Sequence, residues 1–205
     1  MASIGPFSFP LNGFEAVIFD CDGTLVDSMP AHFEAWCEAL ALHGAGGVFK
    51  EDVFFAMGGR PTLDIVVELN DEYNLKLDPA AVALAKREAF LKRLSTVTLI
   101  EEVAEFAQSL RGKMPMAIAT GGSRMVIEKT LQIVGASDWF DEVVTADDVA
   151  EGKPAPDIFL RAAKLLGVSP AKCLVVEDAP AGIIAAQRAG MQVIGIPSPL
   201  VRSAA

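Results

Sequence analysis

The sequence predicts a doubly wound α/β fold, a parallel sheet covered by helices on both faces, with an all-helical segment inserted near its start. Three observations carry that expectation. Short apolar runs rich in Val and Ile recur without polar alternation, helical patterns lie between them, and one interval breaks the rhythm.

The runs are AVIF (16–19), MAIA (116–119), LVVE (174–177) and VIGI (193–196), with a weaker fifth, VVT, at 143–145. Each is too short for a helix, and the missing alternation suits strands buried on both faces. Apolar residues at three- and four-residue spacing predict helices from Glu101 to Leu110, Met125 to Val134, Ile158 to Leu166 and Ala181 to Ala189. From Pro30 to Leu94 the strand signal vanishes. Helical patterns at 30–42, 51–57, 62–73 and 79–94 are separated there by Gly- or Pro-containing turns. The expected organisation is a core of residues 1–27 and 96–205 with a helical cap at 28–95.

Composition narrows the function. A chain of 205 residues, 52% apolar, can bury one core plus a smaller inserted piece. Its formal net charge of -10 argues against nucleic acid and anionic membrane as partners, because both need a positive patch that displaces counterions. Cys21, Cys37 and Cys173 show neither metal spacing nor a disulfide pattern, which fits a reducing compartment. Residues 1–15 contain no Lys or Arg and no long apolar run, so a cytoplasmic location is expected, with a monomer as the default state.

Ligands of an open α/β sheet collect beyond the carboxyl ends of its strands, so the polar residues there are the candidates. The first run ends in Asp20-Cys21-Asp22-Gly23-Thr24, where two carboxylates two residues apart point to one side of the chain. The second ends in Thr120-Gly121-Gly122-Ser123, small residues that let backbone N–H groups and a hydroxyl approach an anion. Beyond the others lie Asp147-Asp148, Lys153 and Glu177-Asp178. Converging carboxylates repel one another unless a hard cation sits among them, and oxygen donors select magnesium over zinc. Phosphate is then the natural substrate group. Magnesium and Lys153 would offset its charge, Thr120 and N–H groups such as that of Gly121 would hold an oxygen, and a carboxylate aimed at phosphorus could attack.

DCDGTLVDS, the strand-end Thr120, GKPAPDIF and EDAPAGIIAAQRAGM together resemble, in order and separation, the four motifs of the haloacid dehalogenase-like hydrolase superfamily, over nearly the whole chain. The resemblance implies a Rossmann-like core, with Asp20 forming an aspartyl-phosphate and Asp22 protonating the leaving group and then activating water. It maps the family's Ser/Thr and Lys to Thr120 and Lys153. It gives the metal ligands as the Asp20 side chain, the Asp22 backbone carbonyl and the pair Glu177 and Asp178, with Glu177 either binding the ion or standing behind it. Dehalogenase members lack the second Asp, since halide leaves without a proton, so Asp22 favours a phosphate ester of a small metabolite.

The helical insertion resembles the small cap of the sugar-phosphate branch. Asp27-Ser28 then begins the hinge, His32 and Trp36 face the substrate, and Arg60, in the Gly58-Gly59-Arg60 loop, contacts it. Mutase members of that branch carry a Lys in the last cap helix that grips a second phosphate. AKREAF places Glu88 at that position, which implies a phosphatase, with a sugar-phosphate mutase as the alternative.

Overall fold

The computed structural model describes residues 2–5, 7–11 and 13–197, so the end of the expected core, 198–205, lies outside the described residues. An antiparallel hairpin of β1 (Ala2–Ile4) and β2 (Phe7–Phe9) leads into β3 (Ala16–Phe19) and the two-residue β4 (Val26–Asp27). Four helices follow, α1 (Met29–Leu42), α2 (Glu51–Ala56), α3 (Thr62–Tyr73) and α4 (Pro79–Leu91). The chain then returns through β5 (Thr98–Leu99), which pairs antiparallel with β4. The remainder alternates as α5 (Glu101–Leu110), β6 (Met116–Ala119), α6 (Arg124–Ile133), β7 (Glu142–Val144), α7 (Asp157–Leu166), β8 (Cys173–Glu177), α8 (Pro180–Arg188) and β9 (Gln192–Gly195).

The main sheet is parallel, in the order β7-β6-β3-β8-β9. The central strand shows why its run reads as unbroken apolar residues. Val17 and Phe19 point into a layer with Phe106, Ile118 and Leu131, while Ala16 and Ile18 point into the opposite layer with Phe159, Ala162 and Ala185. Both faces are covered, so alternation along the strand separates two apolar layers and exposes neither. Among the described residues no helix is long and apolar enough to cross a membrane.

Helices α1–α4 form an inserted cap with its own apolar centre, including Trp36, Phe49, Phe54, Val66, Leu69 and Val82. Its local signals are legible in the sequence. Asp78 accepts from the N–H groups of Ala80 and Ala81 at 2.9 and 3.3 Å, with Pro79 at the first position, and this starts α4. Asn74, at φ 50°, closes α3 in the left-handed conformation. Just past the end of α4, Arg93 ties the chain back to the middle of α1, meeting Glu34 and Glu38 at 3.0 and 2.8 Å.

The structure departs from the sequence reading at short pairings. The β1–β2 hairpin was not expected, and Phe9 packs edge-to-face on Phe106 at 5.5 Å, tying it to α5. The β4–β5 pair joins residues far apart in the chain through strands too short to show a period. The edge strands β7 and β9 each begin and end one residue earlier than the runs VVT and VIGI, because pairing with β6 and β8 sets their bounds.

Candidate active site

Asp20 follows β3, held in line by its N–H donating to the Val176 carbonyl at 3.0 Å. The chain then turns back on itself, with the N–H groups of Leu25 and Val26 donating to the Cys21 carbonyl at 3.0 and 2.9 Å. This turn requires glycine at position 23. Gly23 has φ +87°, and a Cβ there would stand 2.6 Å from Oδ2 of Asp178. Cys21 points away into the core.

Lys153 is 1% exposed, and its Nζ lies 2.6 Å from Oδ1 of Asp20 and 2.8 Å from Oε1 of Glu177. The other oxygen of Glu177 accepts from the Ala179 N–H at 2.6 Å. Space for this carboxylate comes from Gly182, where a Cβ would fall 1.6 Å from Oε1. Asp178 accepts only from the Thr24 hydroxyl, at 2.7 Å, among the described side-chain contacts. Oxygens of Asp20, Glu177 and Asp178 lie within 4.8 Å of one another. Burial and the neighbouring Glu177 raise the Asp178 carboxyl to about 7, and burial raises Asp20 against the opposing pull of Lys153. Burial acts against the Lys153 ammonium, but Asp20 and Glu177 hold it well above its usual value. One ammonium leaves this cluster with carboxylate charge in excess, and its donors are oxygens without His or Cys. That is the donor set of a hard divalent cation.

A second chain of contacts begins at Asp22. Its Oδ1 accepts from the Ser28 hydroxyl at 2.6 Å and lies 3.1 Å from Nε2 of His32, whose Nδ1 lies 3.0 Å from Nζ of Lys86. An ammonium has only protons to offer, so Nδ1 is the acceptor and the neutral ring donates from Nε2 to Asp22. His32 stacks on Phe90 at 3.8 Å. Burial and then the charge of Lys86 push the His32 pKa down, which keeps the ring neutral. Burial pushes the Asp22 carboxyl up, but the His32 ring, hydrogen bonds from His32 and Ser28, and Lys86 hold it down at about 2. Burial draws Lys86 down to about 8 against the pull of Asp22.

Lys86 corrects the sequence reading of α4. Glu88, placed by pattern at the substrate side, is exposed and lines neither of the two cavities beside Asp22, whereas Lys86 lines both. The signal was available. Val82 and Phe90 are buried on α4, and Lys86 lies midway between them at steps of four, on the same face.

The loop before α3 closes the site. It seats on three core loops, where a Cβ at Gly121 would lie 2.9 Å from the Gly59 carbonyl oxygen, one at Gly59 3.3 Å from Ala179, and one at Gly152 2.6 Å from Pro61. Beneath it is a cavity of about 100 Å³ lined by Asp20, Asp22, His32, Arg60, Thr120 and Gly121 among others. A wider crevice of about 400 Å³ opens beside it and shares Asp22, His32, Lys86 and Gly121. The Thr120 hydroxyl accepts from the Gly122 N–H at 3.2 Å. Trp36 lines the small cavity from the cap. Lys153, Glu177 and Asp178 line neither cavity and stand behind Asp20. Asp148 caps the turn at Thr145 and pairs with Arg124, and Asp147 lines the outer crevice. Besides Lys86, sequence reasoning gave no part to Thr24, whose side chain meets Asp178 across the fold.

A profile of the haloacid dehalogenase-like hydrolases matches residues 14–190. The chain belongs to this family. Among curated relatives of this haloacid dehalogenase-like hydrolase, "Fructose-1-phosphate phosphatase YqaB" of Escherichia coli is 38% identical over 186 residues, covering 89% of this chain and 96% of that one. Hexitol phosphatase A of the same organism is 35% identical over 187 residues, covering 89% and 82%. Among solved structures, a β-phosphoglucomutase from Clostridium difficile superposes with a TM-score of 0.78 at 26% identity, covering 94% of this chain and 88% of that one. The family and these phosphatase relatives make the chain a phosphoric monoester hydrolase.

Proposed function

We propose that this hydrolase is a magnesium-dependent phosphatase that takes phosphate from a small sugar or polyol monophosphate through an aspartyl-phosphate on Asp20. The observation that carries this reading is the placement of Asp20 and Asp22 on one cavity with different electrostatic surroundings. Asp20 is backed by the buried Lys153 ammonium, and Asp22 by Ser28 and neutral His32.

In this reading an Asp20 oxygen bonds to phosphorus as the ester oxygen leaves, and Asp22 delivers the proton that the leaving alkoxide needs. A water molecule then attacks the aspartyl-phosphate, its proton passes to Asp22, and inorganic phosphate departs with Asp20 restored. Lys153 balances charge beside Asp20 throughout, while the Thr120 hydroxyl and the Gly121 N–H hold phosphoryl oxygens. Asp22 is ionised in the empty cavity. A bound phosphate dianion beside it favours the protonated acid, and the His32–Lys86 contact fixes which oxygen carries the hydrogen bond. Magnesium held by Asp20, Asp178 and the Asp22 backbone carbonyl would neutralise phosphoryl oxygens. Glu177 stands behind it, because Lys153 and the Ala179 N–H already occupy its two oxygens. Residues 28–95 then act as a cap that excludes water when closed, over a core of 1–27 and 96–205.

Asp20→Asn should release no phosphate from any ester that the wild type hydrolyses in saturating magnesium, and a chelator should silence the wild type reversibly. Turnover by Asp20→Asn comparable to wild type ends the proposal.

A sugar-phosphate mutase using the same Asp20 is the second reading, because the cap lysine that AKREAF had appeared to lack is present as Lys86. Conversion of β-glucose 1-phosphate to glucose 6-phosphate with a bisphosphate primer, faster than phosphate release, would select it.

A further inference from the structure

The cap side of the cavity holds a charge arrangement that attack by Asp20 does not require. Arg60 lines the cavity from the loop before α3, yet its Nη2 lies 2.5 Å from Oε2 of Glu68, on the helix that this loop leads into. Glu68 lines neither cavity. Its carboxylate draws the guanidinium along α3 and balances its charge. The rest of this wall includes Met29, Trp36, Phe54, Met57 and Ile65, which offer a second anion no partner. Lys86, the other cation on this cavity, is engaged with His32 at the reacting end. Arg87 lies on the outer crevice, across which Asp147 also faces.

We propose that Glu68 is a specificity-determining residue. By holding Arg60 it makes the cap wall favour monophosphates with a neutral polyol or sugar leaving group over bisphosphates and phosphorylated acids. An anionic group reaching Arg60 must displace the Glu68 carboxylate or sit beside it, and both cost binding free energy. The inference rests on the phosphatase reading above and adds the residue that would enforce its preference for an uncharged leaving group. The pair is partly exposed, with 29% and 43% of the two side chains accessible, so the discrimination is moderate.

The test compares kcat/KM for glucose 6-phosphate with 6-phosphogluconate, and for fructose 1-phosphate with fructose 1,6-bisphosphate, all in saturating magnesium. Glu68→Gln frees Arg60 and should raise the anionic-to-neutral ratio by about fivefold, with the double variant Arg60→Gln, Glu68→Gln returning it to the wild-type value. In the wild-type background Arg60→Gln leaves the Glu68 carboxylate without its counter-charge and should lower the ratio by up to about fivefold, the mirror image of Glu68→Gln. An unmoved ratio in folded Glu68→Gln, or a double variant that keeps the raised ratio, overturns the inference while leaving the phosphatase intact. No phosphate from any of the four esters with wild type would defeat the phosphatase reading itself.

Discussion

The core half and the cap half of the cavity hold their charges by different means. In the core half, Lys153 is wedged between Asp20 and Glu177 with its side chain fully withdrawn from water, and each carboxylate is tied to a strand end or the turn beside it. In the cap half, Lys86, His32 and Arg60 project from helices and a loop; Lys86 and Arg60 each meet one polar partner and His32 meets two. On the proposed reading the core half carries the attacking and metal-binding carboxylates, while the cap half can change its partners without disturbing the sheet. The difference teaches that, on the same reading, the attacking group is fixed by the sheet while the groups that tune Asp22 and meet the substrate come from the cap.

Cutting the core half at its ammonium is the severest way to break the contrast. Lys153→Met leaves Asp20 and Glu177 buried without their counter-charge, so a stability loss of about 3–5 kcal/mol is expected together with abolished turnover. Denaturant midpoints and phosphate release measure the two. An unchanged midpoint would mean that the pair does not organise the core half.

Lys86→Met should behave oppositely in stability. Burial lowers the Lys86 pKa from 10.5 to about 8, so the charged form is the disfavoured one in the folded state. Its cost is complete below pH 8 and is relieved as pH rises toward 10.5, where the unfolded chain also loses its proton. Removing the charge is expected to leave stability at pH 7 unchanged or raised by roughly 1 kcal/mol, while kcat/KM falls by about a hundredfold. Thermal melts at pH 7 and 9.5, set beside kinetics, separate the two effects. A destabilised Lys86→Met would place Lys86 with the structural charges of the core.

The mildest intervention sharpens the boundary between the halves. A methyl group at Gly121 meets the Gly59 carbonyl oxygen at 2.9 Å, so Gly121→Ala holds the cap ajar without touching either charge system. A fall in kcat/KM of about tenfold is expected with little change in melting temperature. Unaltered kinetics would show that close seating of the cap loop is not required.

Much of the fold was legible because it follows from burial on two faces. Runs such as AVIF could only be strands of a covered sheet, and the four cap helices fell within a few residues of their patterns. The hairpin at Ala2–Phe9 and the β4–β5 pair were not legible. Strands of two or three residues are shorter than any recognisable period, and the second pair closes across the whole cap.

By itself the sequence determined the strand-end chemistry, since backbone geometry sets Asp20 and Asp22 on one side of a turn whatever else the chain does. Only the tertiary structure decided which cap residues face that turn. Each step along a helix rotates a side chain by about 100°, so reading Glu88 for Lys86 moved the chosen group some 200° around α4. The same holds for Arg60, whose charge is balanced by a glutamate two turns into the helix that follows its loop. That contact depends on how far a flexible side chain reaches, which no spacing in the sequence encodes.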